Sequence, residues 1–263
     1  MKIVRYLYKN EISYGIIEGG KLQVYAGSPF ETQEARFKPV GEQLTLSEVR
    51  LLAPCQPSKI VCLGLNYKPH GDELKMKLPE VPLLFLKPST AVIGPNEYII
   101  LPPDSERIDY ECELAAVIGR KARNVKEADY ASYILGYTCF NDVTDRIAQT
   151  KDGQWTRAKS YDTFAPVGPC IETEIYPFDL CIETRLNGVV VQSGNTRDLI
   201  FPVPFLVSFI SRIMTLLPGD IIATGTPAGI GPIKAGDIVE IVIESIGILR
   251  NPVASANNKQ ILP

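Results

Sequence analysis

The stretch Ile108-Asp109-Tyr110-Glu111-Cys112-Glu113-Leu114-Ala115-Ala116-Val117-Ile118 carries acids inside what otherwise reads as a buried strand. Side chains alternate along a strand, so Asp109, Glu111 and Glu113 share one face while Tyr110, Cys112, Leu114, Ala116 and Ile118 share the other. Carboxylates at i and i+2 stand roughly 6.5 Å apart at Cβ, and both can bring an oxygen to one cation at about 2.1 Å, the distance Mg²⁺ prefers. A third carboxylate, Asp142, follows in Gly136-Tyr137-Thr138-Cys139-Phe140-Asn141-Asp142-Val143-Thr144, where an aromatic and β-branched run meets a turn. Three hard oxygen ligands with open coordination positions suit Mg²⁺ or Mn²⁺ and leave room for a substrate. The competing reading puts Glu111 and Glu113 on the wet face of an edge strand. Against it, Asp104, Glu106, Asp109, Glu111 and Glu113 crowd together with only Arg107 to offset them, a repulsion that a cation would relieve. Convergence of the three acids on one point is the condition the metal reading must meet. Oxygens placed far apart, or salt-bridged to arginine or lysine instead, would end it, and the chemistry assigned to His70 with it.

The chain holds one histidine. His70 and Glu73 stand three residues apart, so on one helical turn they are neighbours, and the carboxylate can orient the imidazole as a general base. A solvated turn with an incidental ion pair gives the same spacing. Residues 74–82 have the mixed composition of a mobile surface loop, which makes His70 a candidate to ride on a lid. Lys159 is the candidate cation for an anionic substrate; its bland alternative is an ordinary exposed lysine. A short helix over 144–151 carries Asp145, Arg146 and Gln149, polar side chains expected to point back toward the metal. Thr224-Gly225-Thr226-Pro227-Ala228-Gly229-Ile230-Gly231 offers glycines and free N–H groups to a substrate carboxylate, with Thr224, Gly225 and Thr226 as the contacts and Arg146 able to serve the same end. It lacks the Gly-Lys-Ser/Thr ending of a Walker loop.

The elements that must position these groups are short and many. There are 21 prolines in 263 residues, above the usual ≈5%, which predicts frequent turns. Residues 2–8 and 13–25 read as strands, the second run broken by the hairpin turn Glu18-Gly19-Gly20-Lys21. Residues 26–43 are polar and unpatterned, and a short helix is expected over 45–52, ended by Pro54 and Pro57. A boundary near Pro57 separates a small N-terminal β unit, residues 1–57, from the main unit, residues 58–263. Further expectations are buried strands at 59–65 and 81–87, a helix-like stretch at 126–134, and a hairpin over 181–193 turning at Asn187-Gly188. An amphipathic core helix is expected over 202–217, and strands at 220–223 and 238–243.

With a net charge of -3, the chain offers no basic stripe for nucleic acid, and no apolar run approaches the ~20 residues of a membrane helix. The six cysteines form no C-x-x-C pair and read as reduced core residues of a soluble, cytoplasmic protein.

In this order, the motifs resemble the fumarylacetoacetate hydrolase family, in the shorter form that includes acylpyruvases, oxaloacetate decarboxylases and hydroxymuconate isomerase/decarboxylases. The resemblance runs from about residue 60 to 253. It rests on Gly64-Leu65-Asn66-Tyr67 with His70 and Glu73, Asp109 to Leu114, Asn141 to Thr144, Lys159 to Phe164, Pro166 to Pro169, Asn187-Gly188 and Thr224 to Gly231. It implies an α+β, mixed β-roll fold and a homodimer. It also implies Glu111, Glu113 and Asp142 as ligands of Mg²⁺ or Mn²⁺, His70 and Glu73 as a catalytic dyad on a lid, and Lys159 and Gln149 facing the substrate. Where many relatives have Ala-Arg-Asp after Val-Thr, this chain has Asp145-Arg146-Ile147. The expected activity is metal-dependent C–C cleavage of 2-oxo and 2,4-dioxo acids through an enolate, by acylpyruvate-type hydrolysis or oxaloacetate-type decarboxylation. A hydroxymuconate-type isomerase is the runner-up. A scaffold that binds a structural ion without turnover is the alternative of another class.

Overall fold

The computed structural model describes residues 1–31, 37–74 and 77–256. Three sheets dominate it, and helices are short. Twelve strands form the largest sheet, which runs through hydrogen-bonded neighbours from Lys38–Thr45 by way of Lys21–Ala26, Glu11–Glu18, Lys2–Tyr8, Ala165–Glu172, Ile134–Asn141, Cys112–Ile118, Ile221–Ala223 and Lys59–Leu63 to Leu84–Pro88. Arg50–Leu52 and Val92–Ile93 join it off this path. A three-stranded sheet orders Thr144–Asp145, Ile108–Tyr110 and Gly231–Ile233; a five-stranded one orders Val189–Asn195, Cys181–Leu186, Ile238–Ile243, Gly247–Ser255 and Ile99–Leu101. Pairing is mixed: Ile221–Ala223 runs parallel to Lys59–Leu63 and antiparallel to Cys112–Ile118. The expected α+β class holds. Among the described residues no helix is long and apolar enough to cross a membrane.

The N-terminal strands are not set apart from this frame. Lys2 and Ile3 pair with Glu172 and Ile171, so the small β unit extends the main sheet, and Val4 and Tyr6 enter the main apolar cluster. Both hairpins expected from the sequence form as their turn residues require. Glu18 pairs with Lys21 and Leu186 with Val189, and Asn187 and Gly188 take φ of 53° and 81°, as a type I′ turn demands. Val203–Ile213 is the amphipathic helix, begun by proline and buried through Val203, Leu206, Val207 and Ile210.

Several local expectations need correction. The helix expected over 45–52 is one 3-10 turn, Leu46–Glu48, opened by a Thr45–Glu48 capping box, after which Arg50–Leu52 pairs with Lys2–Tyr8. A neighbouring strand with free edge groups outweighs a marginal short helix. Part of the unpatterned run is the strand Lys38–Thr45, while residues 32–36 lie outside the described residues. The helix-like stretch near 126–134 is a 3-10 helix, Glu127–Tyr133. The strand expected to be buried at 81–87 is the edge strand Leu84–Pro88, in which Lys87 is the buried residue. Cys181 is exposed, whereas the other five thiols are buried; all six are free, and burial pushes the Cys55 thiol up to about 12.

Candidate active site

The acidic strand does not run straight through. Ile108–Tyr110 belongs to the three-stranded sheet and Cys112–Ile118 to the largest one, with Glu111 at the crossing. The neighbouring chain crosses at the same level: Ile134–Asn141 lies in the large sheet, Thr144–Asp145 in the small one, and Asp142 and Val143 in between. Cys112 pairs with Asn141 on one side of the break and Asp109 with Thr144 on the other. The register is therefore the same on both sides, which sets Glu111 across from Asp142. Backbone groups freed by the break are bonded locally. Glu111 N–H donates to Asn141 Oδ1 at 3.0 Å, and Asp142 N–H donates to the Glu111 carbonyl at 3.0 Å. Glu113, two residues on, projects to the same side, and one carboxylate oxygen from each of Glu111, Glu113 and Asp142 lies within 4.8 Å of the others, all three residues buried.

These acids also attract the nearby cations. Lys159 Nζ donates to Asp142 Oδ2 at 2.6 Å and to Glu111 Oε2 at 3.0 Å; Arg146 Nη2 donates to Glu111 Oε1 at 2.6 Å and its Nε to Asp109 Oδ2 at 3.0 Å. Lys87 bonds Asp142 Oδ1 and the Val143 carbonyl. The acids converge, as the metal reading requires, but the adverse outcome is present too: Glu111 and Asp142 carry lysine and arginine partners. Glu113 does not. Its Oε2 accepts the Gly225 N–H at 2.8 Å, and its buried Oε1 has no hydrogen-bond partner among the described residues.

The electrostatics follow this division. Burial opposes ionisation of Glu111, but Lys159, Arg146 and His70 together hold its carboxyl well below the usual range. Burial pushes Glu113 well above that range, and repulsion from Asp142 and Glu111 adds to the effect. Lys159 is also buried, yet Asp142 and Glu111 keep its ammonium above the ordinary lysine value. Burial lowers Lys87, opposed by Asp142 and reinforced by Lys159. Glu113 is thus a buried carboxyl with a free oxygen and no cation of its own. Three hard oxygen donors, of which Glu113 brings an orphaned oxygen, fit a divalent cation of the Mg²⁺ or Mn²⁺ type.

His70 lies in the helix Lys68–Leu74 and is 3% exposed, so it is not a surface residue. Its Nδ1 stands 2.9 Å from Glu73 Oε2, and Glu73 Oε1 accepts the Gly229 N–H at 3.1 Å. The helix is thereby tied to the glycine-rich loop. Of the lid expected over 74–82, Lys75 and Met76 lie outside the described residues.

The residues assigned to the substrate are placed as follows. Gln149 Oε1 accepts from Arg146 Nη1 at 2.7 Å, beside Glu111. Thr224 Oγ1 donates to the Leu114 carbonyl, Gly225 N–H serves Glu113, and Thr226 Oγ1 accepts from Gln192 Nε2 at 2.8 Å. Gly225 sits at φ +92°, and a Cβ there would lie 2.8 Å from the Asn66 Cβ, so glycine is required for the loop to reach Glu113. Asp145 does not point at the acids; it caps the helix Arg146–Asp152 by accepting the Ala148 N–H at 2.9 Å. Sequence reasoning missed Lys87, Asn141, Asn66 and Gln192 as site-forming groups. A lysine inside an apolar run was the available signal for Lys87. Nothing local marked Gln192, which reaches the Cys112 N–H from a distant hairpin.

The family model described as fumarylacetoacetate (FAA) hydrolase C-terminal matches residues 59–254, and one described as Rv2993c-like, N-terminal, matches residues 1–54. A solved 5-carboxymethyl-2-hydroxymuconate delta-isomerase from Mycobacterium smegmatis is 44% identical, with a TM-score of 0.90 over 97% of this chain and 100% of that one. The Rattus norvegicus protein oxaloacetate tautomerase Fahd2a, mitochondrial, is 41% identical over 219 residues, 79% of this chain and 70% of the relative. The maleylpyruvate hydrolase from Sphingobium sp. SYK-6, solved in complex with manganese (II) ion and pyruvate, is 30% identical, with a TM-score of 0.79 over 97% of this chain and 99% of that one. A model matching most of the chain, with full-length structural likeness at such identities, places this chain in the fumarylacetoacetate hydrolase family of enzymes.

Proposed function

We propose that the chain is a Mg²⁺- or Mn²⁺-dependent enzyme that moves protons on, and can cleave, small 2-oxo acids through their enolates. The observation that carries this reading is the meeting of Glu111, Glu113 and Asp142 within 4.8 Å, with Glu113 Oε1 unpartnered. When bound there, a divalent cation supplies Lewis-acid stabilisation of the negative charge that develops on the oxygen of a 2-oxo acid. Glu111, Glu113 and Asp142 would hold it. Lys159 and Arg146, already beside Glu111, neutralise charge at the acid cluster, and Gln149 bonds the Arg146 guanidinium. His70, oriented by Glu73, takes a proton from the carbon next to the keto group and returns it elsewhere on the enolate, which is tautomerisation or isomerisation. With a 2,4-dioxo acid the same imidazole takes a proton from water, whose oxygen attacks the distal carbonyl. The C3–C4 bond then breaks to leave a pyruvate-type enolate and a carboxylic acid.

Sequence reading puts cleavage first and isomerisation second. Two of the relatives named above, at 41% and 44% identity, are a tautomerase and an isomerase; the hydrolase stands at 30%. That order favours proton transfer as the first activity to assay. The partners in this reading are a small 2-oxo acid and a second copy of the chain, in a cytoplasmic setting that keeps the thiols reduced. The test is turnover of enol-oxaloacetate, oxaloacetate, acetylpyruvate and a hydroxymuconate-type diacid by protein with Mg²⁺, Mn²⁺ or EDTA. Metal-dependent turnover of one of them, lost in His70→Ala, is expected. No metal-dependent product from any substrate, by wild-type protein that binds Mn²⁺, would hand the case to the non-catalytic scaffold.

A further inference from the structure

A cleft of about 480 Å³, within the roughly 300–1,000 Å³ typical of small-molecule sites, opens between the N-terminal strands and residues 89–97. None of the acids or bases of the site described above lines it. Its floor is set by strand register. Arg5 pairs with Leu52 and Leu7 with Arg50, so these four side chains leave one face of the sheet and the two arginines stand on a diagonal, about 7–8 Å apart at Cα. Two like charges so placed repel, yet among the described residues neither arginine has an ion-pair or hydrogen-bond partner. The opposite wall brings Ser89, Thr90 and Val92. The single acid lining the cleft, Glu97, is turned back on its own loop, with Oε2 accepting the Gly94 N–H at 2.6 Å. At Gly94 the walls touch: a Cβ there would lie 2.4 Å from Ala53 N, so the cleft is closed on that side by backbone contact.

Guanidinium groups offer planar forks that match carboxylate and phosphate oxygens. Two of them unpaired, over apolar walls, with hydroxyls opposite, make a receptor for a negative head on a short apolar body. We infer that this cleft binds a small organic anion, its carboxylate or phosphate held by Arg5 and Arg50 and its body laid against Leu7, Leu52 and Val92. The inference is independent of the chemistry at the acid cluster.

The test is calorimetric titration of the full, Mg²⁺-loaded chain with phenyl phosphate, benzoate and the neutral benzyl alcohol. One or both anions are expected to saturate at one site per chain while the alcohol does not. Binding by phenyl phosphate alone assigns a phosphate head; binding by benzoate assigns a carboxylate. Arg50→Gln, an exposed position that leaves packing intact, is expected to weaken the anion roughly tenfold to a hundredfold, and Glu113→Gln to leave it unchanged. Arg5→Gln is the second variant, with thermal unfolding as the check on its folding. The inference is overturned by absence of saturable binding for both anions. It is equally overturned by undiminished binding in folded Arg50→Gln and Arg5→Gln proteins, or by loss of binding in Glu113→Gln, which would move the anion to the acid cluster.

Discussion

Two buried carboxylates flank the strand Ile221–Ala223, and they are treated in opposite ways. Asp220 is fully buried and saturated: it accepts from Ser58 N–H and Oγ, Lys59 N–H and Leu217 N–H, and it pairs with the Lys59 ammonium. Glu113, as deeply buried, has one backbone partner and one bare oxygen. A carboxylate with all its lone pairs filled by the chain is a staple between segments. One with an unfilled oxygen beside two further acids is kept at a cost that a bound proton or a cation offsets. Burial and charge alone do not separate the two; the count of hydrogen bonds does.

The difference can be attacked directly. Asp220→Ala removes the shared partner of Ser58, Lys59 and Leu217 and should destabilise the chain by about 3–5 kcal/mol in urea unfolding, whereas Glu113→Gln should leave EDTA-treated protein as stable as wild type or more so. Equal losses for both would erase the distinction. His70→Ala should lower turnover by about 10²–10⁴-fold with no change in the unfolding midpoint; a shifted midpoint would make His70 a packing residue. Gly225→Ala, at φ +92° and against Asn66, should cost about 1–3 kcal/mol and weaken Mn²⁺ binding, because the amide that fixes Glu113 moves. Unchanged Mn²⁺ affinity would show that the loop does not position that ligand.

The smallest effect is a pH slope. Glu113 has a folded pKa raised chiefly by burial, then by Asp142 and Glu111, so the folded chain keeps a proton that the unfolded chain releases above the ordinary glutamate range. Stability of EDTA-treated protein should therefore fall as pH rises from that range toward the raised folded value, and Glu113→Gln should flatten the slope. Metal binding should release the same proton, so Mn²⁺ affinity should climb with pH, read by calorimetry in buffers of different ionisation enthalpy.

The acidic face of residues 109–113 was legible in the sequence because strand alternation needs no partner to be recognised. Asp142 was found by composition, but the register that sets it across from Glu111 is a long-range pairing and left no local trace. The His70–Glu73 pair was legible as helical spacing; that the imidazole is buried was not, since burial depends on what lies above it. The sequence sets Arg146 and Lys159 toward a substrate, and the structure bonds both to the acids, because an unscreened carboxylate cluster recruits the nearest cations. Strand content at 38–45 and 50–52 was missed for the same reason that Gln192 was. Each owes its place to an edge or a hairpin from elsewhere in the chain.

Because both neighbouring chains change sheets at one level without losing step, the crossing behaves like a vernier. With the pairing before the crossing kept, deleting Cys112 would bring Leu114 to the position of Glu113; with the large-sheet pairing kept, deleting Asn141 would set Asp142 across from Cys112. Length in these two segments is therefore fixed by the acids they carry. The 119–133 connection between them is held separately, by Ala122 pairing with Leu216 and by the Val125 N–H donating to Ser211 Oγ.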